Sequence, residues 1–162
     1  MIRLVVIASL LVGCRISLED SDTGDDVTGR RCTVSTTAPC LDAVTHSDLA
    51  WIEEKVFVAS CNFSGCHNGA ATPPGKVDLR AGMSYAHLVG YTSMIDPSRK
   101  LVVPKDVAAS YLMLMLGDIP PAMASPPGTV PDAGLMPQGN LPLCCQKLDA
   151  IERWIMAGAL NL

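Results

Sequence analysis

Residues 60–69 read SCNFSGCHNG, placing Cys61, Cys66 and His67 within one short turn of chain. Nothing else in the chain narrows the fold as much. Two thiols and an imidazole this close either pair with each other or close on a group that is not protein. Three chemistries use such a cluster. A covalent c-type haem takes two thiols as thioethers on its two vinyl groups and a histidine directly after the second thiol, in the order C-x-x-C-H. A disulfide between Cys61 and Cys66 would close a small loop and leave His67 a bystander. Zinc is the poorest match, because tetrahedral sites draw on spaced ligand pairs and adjacent Cys66 and His67 project in different directions. The gap here is four residues rather than two. Asn62, Ser64 and Gly65 are small or turn-forming, so the extra residues can bulge outward as a helix ends. His67 directly after Cys66 is the half of the haem pattern that sets proximal ligation.

A haem also needs an apolar pocket and, for a closed site, a second axial ligand. In GLMPQGNLPL, Met136 precedes Pro137 and lies between Gly134 and Gly139. A loop so stiffened is not where methionine serves as a filler of helix cores. A thioether sulfur is a soft ligand, and Met/His coordination raises the potential of haem iron. Met136 is therefore the expected distal ligand. His87, Met83 and Met123 are its rivals, and an open position is the other alternative. His46 is expected to cap a helix or face solvent, and Met115 to fill core.

The periodicity elsewhere is helical. THSDLAWIEEKVFVAS carries Leu49, Ile52, Val56 and Ala59 on one stripe, with Thr45 and Asp48 as a capping-box-like start. GMSYAHLVG predicts a short helix closed by Gly90. DVAASYLMLMLG predicts another, capped by Asp106 and ended by Gly117. A last helix over about 143–157 aligns Leu148, Ile151, Trp154 and Ile155 and stops at Gly158. No strand alternation and no internal repeat is present. Residues 117–142 hold too many prolines and glycines for a helix or central strand to pass. The predicted class is all-α, a small helical domain over residues 45–162 with long Pro/Gly-rich loops. Aromatic residues make up 4% of the chain, a thin supply for a core, and a bound group is one way to fill it.

The N-terminus reads as an export signal. Arg3 precedes an apolar run over residues 4–12, too short to span a bilayer, which needs about 20 apolar residues. Leu11-Val12-Gly13-Cys14 resembles the lipobox of bacterial lipoproteins, which implies a signal peptide at 1–13 and lipidation of Cys14. Residues 14–44 are then the lipidated cysteine and a flexible acidic tether. A 17-residue flexible chain reaches roughly 20–25 Å. Arg15 follows Cys14, and no aspartate stands there to suggest inner-membrane retention, so the outer membrane is the expected destination. Exported thiols pair or are modified. Cys32, Cys40, Cys144 and Cys145 allow three connectivities, and a bond between neighbours Cys144 and Cys145 is sterically poor. Two bridges from Cys32 and Cys40 to the Cys144–Cys145 pair are expected, with a local Cys32–Cys40 loop as the alternative. The net charge of −4 argues against nucleic acid as a partner.

From Leu49 to Leu160 the order of motifs is similar to that of class I cytochrome c-like lipoproteins of the myxobacterial type. Those carry a wide-gap haem motif, a VVPGDPDxSYL-type segment, a Met-Pro-x-Gly loop and a final WIxAGA helix. Here the counterparts are CNFSGCH, VVPKDVAASYL, LMPQG and WIMAGA. The chain departs at VPKDVAAS, which lacks the glycine and second proline, and in a longer run over 118–133. The resemblance implies a small cytochrome c-like domain with one covalent haem c. Cys61 and Cys66 would be the thioether sites, His67 the proximal and Met136 the distal ligand. Trp154 and Ile155 would pack the last helix on the first. The implied function is monohaem electron transfer to an unspecified redox partner, on a membrane-anchored domain facing the periplasm or exterior. Two alternatives stand beside it: a haem-free, disulfide-stapled lipoprotein that binds a partner, and a peroxidase-like haem enzyme with an open distal site.

Overall fold

The computed structural model describes residues 29–63, 65–69, 77–131 and 134–162. The signal peptide at 1–13, Cys14 and the first part of the tether lie outside the described residues. Among the described residues five α-helices occur: α1 (Ala38–Asp42), α2 (Leu49–Ile52), α3 (Ser84–Leu88), α4 (Tyr111–Met115) and α5 (Cys145–Met156). Among the described residues no strand forms, and pairing between extended segments is limited to isolated bridges such as Val89 with Val102. None of the helices described is long and apolar enough to cross a membrane.

The longest helix, α5, organises the core. Leu148, Ile151, Trp154 and Ile155 recur at three- and four-residue spacing, and all four are buried. That stripe packs against α1, α2 and the short 3₁₀ turn Ala43–Thr45. The Trp154 indole N–H donates to the Leu160 carbonyl at 2.9 Å, so its one polar atom is satisfied inside the core.

Helix α2 starts one turn later than Thr45 suggests. Asp48 is its N-cap and accepts from the Trp51 amide at 2.8 Å, while the Thr45 hydroxyl bonds the Asp42 carbonyl and closes the preceding turn. Asp48 takes the cap because its carboxylate accepts from a free first-turn amide, while the Thr45 hydroxyl is engaged in the turn before. Beyond Ile52 the helix widens into a π-helical stretch, Glu53–Val58. There the Lys55 carbonyl accepts from the buried Lys147 ammonium at 2.8 Å, so α5 supplies a donor within the widened ladder. Buried Glu53 accepts from the Gly82 amide at 2.8 Å and from the Ser84 hydroxyl, tying α3 to this helix.

The packed domain also begins earlier than residue 45. Cys32 is bonded to Cys145 and Cys40, within α1, to Cys144. Arg30 donates to Asp118 and Asp149, each at 2.7 Å. Residues 30–44 are therefore part of the fold rather than tether. Covalent pins replace the apolar periodicity that would otherwise be required.

Asp106 does not cap α4. It accepts from the Ala109 amide at 2.9 Å in the turn before, and Ser110 stands at the N-cap. In that same turn Lys105 has φ +66°, the left-handed region that favours glycine, and its amide bonds the Ile155 carbonyl at 2.8 Å. Glycine is the residue that the resembled VVPGDPD pattern has at this place.

Candidate functional site

The helical run from α2 delivers Cys61 to the floor of a cavity. The Cys61 amide bonds the Phe57 carbonyl at 2.8 Å, and the Asn62 amide bonds the same carbonyl at 2.9 Å in a π-type turn. The chain then loops back: the Cys66 amide reaches the Phe63 carbonyl at 2.9 Å, and the His67 amide reaches the Cys61 carbonyl at 3.2 Å. The four-residue gap is thereby closed by backbone hydrogen bonds, with Phe63 and Gly65 on the exposed side. Cys61, Cys66 and His67 all line the same cavity.

His67 is held by the segment after it. Its Nδ1 lies 3.0 Å from the Val77 carbonyl, and the Leu79 amide bonds the His67 carbonyl at 2.8 Å. A carbonyl partner puts the proton on Nδ1, so Nε2 carries the lone pair that a metal would take. Gly69 (φ +76°) lets the chain pass under the Asp78–Arg80 ion pair. A Cβ there would stand 2.5 Å from Asp78 Oδ2 and 2.6 Å from Arg80 Nη2. The Arg80 guanidinium, bonded to Asp78 at 2.7 Å, holds that carboxyl below the usual range.

Met136 comes to the same cavity from far along the chain. Its amide bonds the Met115 carbonyl at 2.8 Å, which fixes the proline-stiffened loop to the end of α4. The cavity has a volume of about 380 Å³ and is lined by Cys61, Cys66, His67 and Met136 together with Phe57, Leu79, Leu88 and other apolar side chains. None of the described residues lining it is Asp, Glu, Lys or Arg. Its mouth is edged by Phe63, Tyr91, Met94 and Ile95, which are 38–59% exposed.

The rival ligands separate on position. His87, Met83 and Met123 do not line the cavity, and His46 stacks on Trp51 at 4.6 Å. Met115 does line it, as does Met94, which sequence reasoning missed. Met94 rides on a loop closed by the Ser93 amide on the Arg99 carbonyl and by Arg99 on Asp96, both at 2.9 Å. That loop has no periodicity that would have flagged it.

Cys61 and Cys66 are not bonded to each other, unlike the other four described cysteines. Burial pushes the Cys61 thiol up to about 11, with the nearby Lys147 ammonium offsetting part of the shift. At neutral pH it is a protonated thiol and a poor partner for disulfide exchange. The Asn62 and Asn68 side-chain oxygens beside the motif are buried without a hydrogen-bond partner among the described residues.

These residues fit a c-type haem. Two unpaired thiols, an imidazole with its Nδ1 proton engaged and a thioether line one apolar cavity, and its volume lies in the roughly 300–1,000 Å³ range of cofactor sites. Among the described residues no group of three or more His, Cys, Asp and Glu side chains is arranged to hold a bare metal ion. No protein-family model, no curated protein and no solved structure matches the chain.

Proposed function

We propose that this domain is a monohaem c-type electron carrier, exported and tethered to the membrane through a lipid on Cys14, and that it exchanges electrons with a redox partner protein. The observation that carries the reading is the convergence of Cys61, Cys66, His67 and Met136 on one apolar cavity, although Met136 is remote from the other three in sequence. The haem would supply a one-electron couple, cycling between ferrous and ferric iron. Each protein group has a distinct task. Cys61 and Cys66 would hold the haem through thioethers, His67 would ligate the iron with its ring steered by the Val77 carbonyl, and Met136 would supply a second, thioether ligand. The apolar lining disfavours the extra positive charge of the oxidised iron, and the soft sulfur acts in the same direction, so both raise the potential.

The lining also supports electron transfer over acid–base catalysis. Among the described residues lining the cavity there is no Asp, Glu, Lys or Arg to move a proton, and Asp78, Asp96 and Asp106 each accept from nearby backbone amides in turns. Replacement of Met136 tests the assignment. In Met136→Leu the midpoint potential should fall by a sizeable part of the roughly 0.8 V that axial ligation spans, and the ferrous form should bind carbon monoxide readily. Met94→Leu and Met115→Leu should keep the wild-type potential. A potential unmoved by Met136→Leu would remove Met136 from the iron.

A further inference from the structure

Away from the cavity, three carboxylates converge on one guanidinium. Arg30 Nε donates to Asp118 Oδ1 at 2.7 Å and Arg30 Nη2 to Asp149 Oδ1 at 2.7 Å. The Glu152 carboxyl, on α5 with Asp149, lies within hydrogen-bonding reach of Asp118. The Asp118 side chain has no solvent exposure. Its Oδ2 is buried with no hydrogen-bond partner among the described residues. Two carboxylates cannot hydrogen-bond to each other. An ionised Glu152 would leave Asp118 Oδ2 buried, unpaired and facing a second negative charge, which is costly. A protonated Glu152 supplies the missing donor.

We propose that Asp118 and Glu152 share one proton, Glu152 donating to Asp118 Oδ2, and that this acid pair is a pH-sensitive latch. It joins the N-terminal strap at Arg30 to the end of α4 and to α5. The adjacent Arg31 amide bonds the Gly117 carbonyl at 2.6 Å, so strap and helix end are held by backbone as well. Burial raises Asp118 as well, but the Arg30 guanidinium bonded to its Oδ1 opposes that rise, so of the two acids Glu152 is the one that keeps the proton. Burial, followed by the Asp118 charge, pushes Glu152 up to about 7. The charged groups facing Glu152 are Asp118, Asp149 and Arg30.

The sign follows from that direction. The folded protein holds the Glu152 proton more tightly than the unfolded chain does. The resulting stabilisation is complete below the ordinary glutamate range and is lost as pH rises to about 7. Above that, three carboxylates oppose one guanidinium and the latch loosens. The Cys32–Cys145 bond confines the release to the strap before Cys32 and to the segment after α4. The cavity residues take no part, so the latch stands or falls independently of the haem.

Carboxyl ¹³C NMR of the full chain tests it directly. Glu152 should titrate near neutrality, and its midpoint should fall in Asp118→Asn, staying above the ordinary glutamate range because the burial remains. The denaturant midpoint of the wild type should fall between about pH 5 and pH 8, and Glu152→Gln should remove that fall. An ordinary Glu152 midpoint in the wild type, or a Glu152→Gln variant that follows the wild type at every pH, would overturn the proposal.

Discussion

Removing both described disulfides should cost more than twice the loss of either one. In the chain-entropy description a bond closing a loop of about 100 residues is worth roughly 4.7 kcal/mol. The two bridges here span 113 and 104 residues and are nested, with Cys32 and Cys40 meeting the adjacent Cys145 and Cys144. Once one is closed, the other closes only a ring of about 11 residues, worth roughly 2.8 kcal/mol on the same scale. Each paired variant, Cys32→Ala/Cys145→Ala or Cys40→Ala/Cys144→Ala, should therefore lose about 3 kcal/mol, and the fourfold variant about 7 kcal/mol. Domains have only about 5–15 kcal/mol in total. The fourfold variant should thus unfold at a much lower urea concentration than either paired variant. Urea unfolding of the three, followed by Trp51 and Trp154 fluorescence, reads the difference. Equal and additive losses would show that the bridges do not share one loop.

His67→Ala should have the largest effect on the cofactor. The His67 ring is oriented by its Nδ1 contact with Val77, and no other described histidine lines the cavity. The variant should still be covalently modified, because Cys61 and Cys66 remain. Its visible spectrum should lose the six-coordinate signature, and added imidazole should restore much of it. His87→Ala and His46→Ala should leave the spectrum unchanged. A wild-type spectrum in His67→Ala would exclude His67 as a ligand.

What the sequence conveyed and what it concealed follow from how each feature is encoded. Helix α5 was legible because its apolar stripe repeats with helical spacing, and Met136 stood out because a Pro/Gly loop is no place for a core methionine. The start of the domain was not legible. Residues 30–44 are held by two disulfides and the Arg30 ion pairs, which leave no periodic trace. The Asp118–Glu152 pair was hidden for a similar reason, since Glu152 reads as one more solvent-facing charge until Asp118 is placed beside it. Met94 reaches the cavity through tertiary folding of an irregular loop. Lys105 shows the converse. Its left-handed backbone is what glycine would adopt most readily, so a lysine there carries a local conformational cost that its sequence does not announce.

The central claim is that Cys61 and Cys66 carry a haem, and intact mass under denaturing conditions tests it most directly. The full chain should be produced with cytochrome maturation machinery and compared with Cys61→Ala/Cys66→Ala. The account predicts a wild-type mass higher by one haem beyond the lipid and the two described disulfides, with no such addition in the variant. A wild-type chain without that addition, lighter by two further hydrogens from a Cys61–Cys66 bond, would contradict it.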